Sequence, residues 1–101
     1  MSKTKTKEEL VRLGWLTELR RQGNRQFEGA LRGYDNKVCA LGLLAEVANY
    51  DLDVMSDELS DIGGLAGLDG NQSERIATMN DADGLTFAEI ATEVETWFPN
   101  D

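Results

Sequence analysis

The chain contains no histidine, one cysteine, one proline and no apolar run approaching the ~18 residues of a membrane span. Without histidine it lacks the commonest general base, the commonest zinc ligand and the side chain that switches charge near neutral pH. A lone thiol, Cys39, rules out an intrachain disulfide, and its setting in Val38-Cys39-Ala40-Leu41-Gly42-Leu43-Leu44 predicts a buried, inert side chain. With no disulfide framework and no secretory signal, the expected location is the cytoplasm, with no membrane partner. Phosphate-binding loops, Gly-x-Ser-x-Gly elbows and Cys-x-x-Cys pairs are also missing. The expectation is therefore a protein that is not an enzyme, with no catalytic residues, no cofactor and no metal.

What is present is 101 residues, 41% hydrophobic and 29% charged, enough for a single globular domain over 1–101 with residues 1–6 expected to fray. The formal charge of −9 hides an asymmetry. Residues 1–37 hold nine Lys and Arg against five Asp and Glu, a net of +4, whereas residues 38–101 hold Arg75 alone against fourteen acids, a net of −13. Such a surface repels phosphate backbones, so direct binding of double-stranded nucleic acid is not expected, while a basic protein groove attracts it. The plain alternative is that the acids only keep the protein dispersed.

The pattern predicts an all-α fold of four or five short helices. Thr6-Lys7-Glu8-Glu9 reads as a capping box opening a helix over 7–22, with Val11, Trp15, Leu16 and Leu19 as its apolar stripe. Residues 23–36 read as an irregular connection with a short extended piece. Residues 37–49, apolar nearly throughout except Glu46, predict a buried central helix, in which Gly42 would let another helix cross closely. Ser56 is expected to cap a helix running through Asp57 to Ile62, and another helix is expected from Gln72 to Met79. Thr86-Phe87-Ala88-Glu89 is a second capping box, and Phe87, Ile90, Ala91, Val94, Trp97 and Phe98 form the apolar face of a last helix over 86–98. That helix is expected to be the principal partner of the central one.

Asn80-Asp81-Ala82-Asp83-Gly84 resembles a calcium loop at first sight, but the spacing fails. With Gly84 at the sixth loop position, the obligatory oxygen ligands at positions one and twelve become Met79 and Ile90. The segment reads instead as a helix-stop turn, with Asn80 and Asp81 bonding the turn's own backbone, Gly84 left-handed and Phe87 turned inward. Paired carboxylates such as Asp57 and Asp61 do not stand out in so acidic a chain as acid–base catalysts. Arg20, Arg21, Arg25 and Arg32, with Phe27 and Tyr34, form a basic patch whose uses are stacking on single-stranded nucleic acid or pairing with the acidic remainder, within a chain or between chains.

Three segments resemble a family of small uncharacterised proteins found in phages and prophages. They are Gly23-Asn24-Arg25-Gln26-Phe27-Glu28-Gly29-Ala30-Leu31, similar to Gly-x-x-Gln-x-x-Gly-x-Leu; Cys39-Ala40-Leu41-Gly42-Leu43-Leu44, similar to Cys-x-Leu-Gly-x-Leu; and Asn80-Asp81-Ala82-Asp83-Gly84-Leu85-Thr86-Phe87-Ala88-Glu89-Ile90-Ala91, similar to Asn-Asp-x-x-Gly-x-Ser/Thr-Phe-x-x-Ile-Ala. Family members often carry further cysteines near the second segment, where Val38 and Ala45 stand here, so no cysteine-based role is carried over. The resemblance implies a phage or prophage accessory protein in a bacterial host. The expected function is binding of a basic, nucleic-acid-binding host protein, with Asp51, Asp53, Asp57, Glu58, Asp61, Glu89 and Glu93 as the contact set standing in for phosphates. Such a protein would be an inhibitor of a defence or DNA-processing protein, anti-CRISPR-like or DNA-mimic-like. The alternative is a self-assembling protein, such as a homodimer, that pairs its basic third with its acidic remainder.

Overall fold

Local capping chemistry sets where the helices begin. In the computed structural model, which describes residues 6–56 and 58–99, α1 spans Lys7–Arg21, α2 Ala40–Val47, α3 Leu59–Gly64, α4 Gly70–Asp81 and α5 Phe87–Trp97. These five helices make an all-α fold; of residues 1–6, expected to fray, 1–5 lie outside the described residues and Thr6 is instead the cap of α1. The Thr6 hydroxyl accepts from the Glu9 N–H at 3.1 Å, while Glu8 and Glu9 in the first turn and Arg20 and Arg21 in the last suit the helix dipole of α1. Thr86 and Glu89 form the reciprocal capping box of α5.

The central helix is shorter than the apolar run that encodes it. Residues 37–39 are not helical, because their backbone groups are taken by the preceding connection. Val38 donates to Arg25 O and accepts from Phe27 N, both at 2.8 Å, and Cys39 N–H donates to Leu31 O at 3.1 Å. The connection holds a short helical turn at Gly23–Arg25 and two isolated bridges, Gln26 with Val38 and Arg32 with Val38. Asp35 and Asn36, both with φ near +60°, make the tight reversal between Tyr34 and Lys37 that sets up the second bridge. Cys39 then caps α2, its sulfur accepting from Gly42 N–H at 3.4 Å. Asn49, at φ 60°, turns the chain out of the helix after Ala48.

Two other boundaries move. Ser56 Oγ accepts from Glu58 N–H at 3.2 Å before the helix begins, so α3 starts at Leu59 and continues past Ile62 to Gly64; Asp57 lies outside the described residues. Helix α4 starts at Gly70 rather than Gln72, because Asp69 and Gln72 form a capping box, and it runs on to Asp81. Asp69-Gly70-Asn71-Gln72 carried that signal in the sequence.

Helix α2 lies at the centre, against α1, α3 and α4, and Leu41, Leu43, Leu44 and Ala45 are all buried. Its main partner is α1, not the last helix: the indole N–H of Trp15 donates to Ala40 O at 2.9 Å inside the core. Helix α5 packs chiefly on α1 and α4, burying Phe87, Ile90, Ala91 and Val94, with Trp97 and Phe98 half-buried at its end. Gly42 admits a loop carbonyl rather than a crossing helix, for a Cβ there would stand 1.9 Å from Leu31 O. The close helix crossing falls at Gly63, where a Cβ would meet the Ser73 hydroxyl of α4 at 1.8 Å.

Candidate functional site: an acidic lobe beside an apolar cleft

The three segments of the sequence resemblance converge on one buried amide. Asn80, fully buried in the last turn of α4, accepts through Oδ1 from the Gln26 side chain at 3.0 Å and from Ala40 N–H at 3.2 Å. Its Nδ2 donates to Phe27 O at 2.8 Å and to the Asp81 carboxylate at 2.7 Å. Gln26 also donates to Leu85 O at 2.7 Å and accepts from Phe87 N–H at 3.1 Å, while Asp81 accepts from Gly29 N–H at 3.0 Å. Asn80 and Asp81 therefore bond the distant 26–29 loop and the start of α2, not the turn that follows them. That turn closes through Leu85 N–H to Met79 O at 2.9 Å with Gly84 left-handed at φ +67° and Phe87 inside. Asp83 faces Arg75 at 3.4 Å. Among the described residues no three His, Cys, Asp or Glu side chains are grouped as a metal ion would need.

The arginines of the basic third are engaged within the chain. Arg20 reaches Glu95 of α5 with both terminal nitrogens, at 2.7 and 3.2 Å. Arg25 pairs with Glu46 of α2 at 2.8 and 3.0 Å and adds bonds to Asn36 O and the Gln22 side chain. Arg32 bonds the Asp53 carboxylate, and Arg21 pairs with Glu18 in its own helix at 2.7 Å. The partners hold the Arg25 and Arg32 guanidiniums above their ordinary pKa, and bonds from Gln22 and then Arg21 hold the Glu18 carboxyl below its own. Phe27 and Tyr34 meet edge to face, 5.8 Å between centroids. Three of the four arginines thus neutralise acids of the acidic remainder.

The expected acidic contact set falls into two groups. Asp51, Asp53, Glu58 and Asp61 are exposed on one stretch from the end of α2 into α3, and Asp57 belongs to the same stretch but lies outside the described residues. Glu89 and half-buried Glu93 sit on α5, which packs on α1 and α4. One Glu89 oxygen accepts from Thr86 N–H at 2.9 Å, and the Thr86 bonds hold its carboxyl below the ordinary carboxylate value. Among the described residues, no cation lies within ion-pair distance of Asp51, Glu58, Asp61 or Glu93.

The same stretch displays features that the sequence reading passed over. Asp51 Oδ1 accepts from Asp53 N–H at 2.9 Å, Asp51 O accepts from Met55 N–H at 2.8 Å, and the Tyr50 hydroxyl donates to Ser56 O at 2.6 Å. These bonds close a small lobe that holds Val54 79% and Met55 54% exposed. Leu52 and Leu59, at either end of the lobe, line a cleft of about 480 Å³ together with Leu31, Arg32, Cys39, Ala77 and Asp81. Cys39 is buried there and its thiol pKa is raised by desolvation, as expected of an unreactive side chain. The signal for the lobe was legible as an apolar pair flanked by acids. Arg12 gave no such signal: it is buried, donates to Ala66 O at 2.8 Å and lies 3.7 Å from the centre of the Phe98 ring.

No helix among the described residues is long and apolar enough to cross a membrane. No family model, no curated protein and no solved structure matches the chain.

Proposed function

We propose that the protein is a non-enzymatic binding module whose acidic surface engages a basic, nucleic-acid-binding protein and obstructs its nucleic-acid groove. The observation that carries this reading is the disposition of charge. Arg20, Arg25 and Arg32 pair with Glu95, Glu46 and Asp53 inside the chain, and the exposed carboxylates of Asp51, Glu58 and Asp61 stay beyond ion-pair distance of any described cation. Carboxylates presented in this way attract Lys and Arg side chains that otherwise hold phosphates, and steer the encounter at low ionic strength. The likeness of three segments to small phage and prophage proteins supports a phage-encoded accessory role against a host protein. The internal pairing of Arg20, Arg25 and Arg32 leaves less unpaired basic charge for self-assembly, which supports the binding reading over the homodimer.

The test is capture from a bacterial lysate by the tagged protein, washed at about 0.1 M and then about 0.5 M salt. The expected result is a nucleic-acid-binding protein released by the higher salt or by added DNA. A variant with Asp51, Asp53, Asp57 and Asp61 changed to Asn, and Glu58, Glu89 and Glu93 to Gln, should lose the capture. Gln at position 89 keeps the α5 capping box possible, so circular dichroism should show a folded chain. Undiminished capture by the folded variant overturns the reading.

A further inference from the structure

We infer that the cleft beside α3 and the exposed Val54–Met55 lobe together dock a basic amphipathic segment of the partner protein. The inference rests on the acidic-surface reading and names what that surface recognises. Val54 and Met55 are adjacent exposed apolar side chains next to the cleft-lining Leu52, and the bonds from Asp51 and Tyr50 fix the backbone that presents them. Beside it, the cleft of about 480 Å³ between Leu31, Leu52, Leu59 and Ala77 has room for large aliphatic side chains. Its wall at residues 29–32 is tied to α4 through the Gly29 N–H bond to Asp81, so the cavity is formed before anything enters it.

Charge decides what kind of segment fits. Asp51, Glu58 and Asp61 are exposed on the stretch that supplies Leu52 and Leu59 to the cleft and lie beyond ion-pair distance of any described cation, while Arg32, which lines the cleft, is bonded to Asp53 and also feels the charge of Asp51. A segment with apolar residues on one face and Lys or Arg on the flanks satisfies both parts at once. The apolar face covers Val54 and Met55 and enters the cleft, and the cations meet the three carboxylates. A purely basic, unstructured chain satisfies only the second. A docked helix read through residues at i, i+3, i+4 and i+7 is the usual form of such an encounter.

The probe is a synthetic peptide of about 18 residues made of Leu and Lys, with Leu at helical spacing, and a control with Ser at every Leu position and the same charge. Both are titrated into the full-length protein at about 0.05 M salt and followed by amide chemical shifts. The Leu peptide is expected to shift residues 29–32, 39, 52–56 and 59, and to bind at least tenfold more tightly than the control. The Val54→Ser/Met55→Ser double variant alters only exposed side chains and should bind the Leu peptide at least tenfold more weakly. Equal binding of the two peptides, or an unchanged double variant, overturns the docking inference and leaves the acidic-surface reading standing. Binding of neither peptide overturns the docking inference and weakens the charge reading with it. Self-association of the unliganded protein that the double variant abolishes would assign the surface to a second copy and overturn the inference in favour of a homodimer.

Discussion

Asn80 shows what one side chain contributes when its burial is matched by partners on every side. Its amide serves two donors and two acceptors from segments more than forty residues apart at the extremes, in a core where each unmet partner would cost about 1–3 kcal/mol. The chemistry is directional, because the Nδ2 group faces the Phe27 carbonyl and the Asp81 carboxylate. Asn80→Asp replaces that donor with an oxygen. The introduced carboxyl is buried and faces a like charge, so its folded pKa rises, and the penalty grows as pH rises through it. Urea unfolding should show a loss of about 3 kcal/mol or more at pH 7 and a smaller loss near pH 4. Little loss at either pH would mean that shape, not the donor, is what the site requires. None of this was legible from Asn80-Asp81-Ala82-Asp83-Gly84 alone, where a turn accounts for every residue; the partners at 26–29 and 40 are brought there only by the fold. Arg12 escaped for the same reason, since Ala66 and Phe98 lie far along the chain.

Helices were legible where local chemistry and burial agree. α5 carries both a capping box and a clear apolar stripe, α1 forms only the Thr6 half of the expected box, and the observed limits of both fall within a residue or so of the reading. The central run misled at its start, because Val38 is as apolar as a helical core residue yet uses its backbone to bridge 25–27 and 32. α3 has no side-chain cap, so nothing in Ser56–Leu59 marked its true beginning. The cap of α5 has a measurable signature. Thr86 holds the Glu89 carboxyl below its ordinary pKa, so the contribution of this group is present at neutral pH and is lost as pH falls through the depressed value. A carboxyl-carbon NMR titration should place the Glu89 midpoint below that of a Glu in an unstructured peptide. Thr86→Ala should raise that midpoint and lower stability by about 1 kcal/mol. A wild-type Glu89 midpoint equal to that of the unstructured peptide would mean that the reciprocal bond from Thr86 N–H does not form in solution.

At the scale of the molecule, opposite charges are paired across the fold while the total stays at −9. The sequence disclosed the asymmetry and its magnitude; only the fold shows that Arg20, Arg25 and Arg32 lie against acids of the other part. Exposed ion pairs contribute about 0–1 kcal/mol each and weaken with salt, whereas the net negative charge repels itself until salt screens it. With the pairs on a partly exposed surface and the excess uncompensated, the second effect should dominate. Thermal unfolding should therefore move up by about 2–5 °C between 0.01 M and 0.15 M sodium chloride. A downward shift would show that the internal pairs contribute more than the repulsion. The two tryptophans report on such changes through separate optical channels. Trp15 has no exposed surface and its indole N–H is held by Ala40 O, whereas Trp97 is half-buried at the chain's far end, and neither lines the cleft. Iodide in solution will quench the emission of Trp97 and leave that of Trp15, so the remaining blue-shifted light follows the core alone. A ligand seated beside α3 should leave that light unchanged, which lets binding and unfolding be told apart in one cuvette without an added dye.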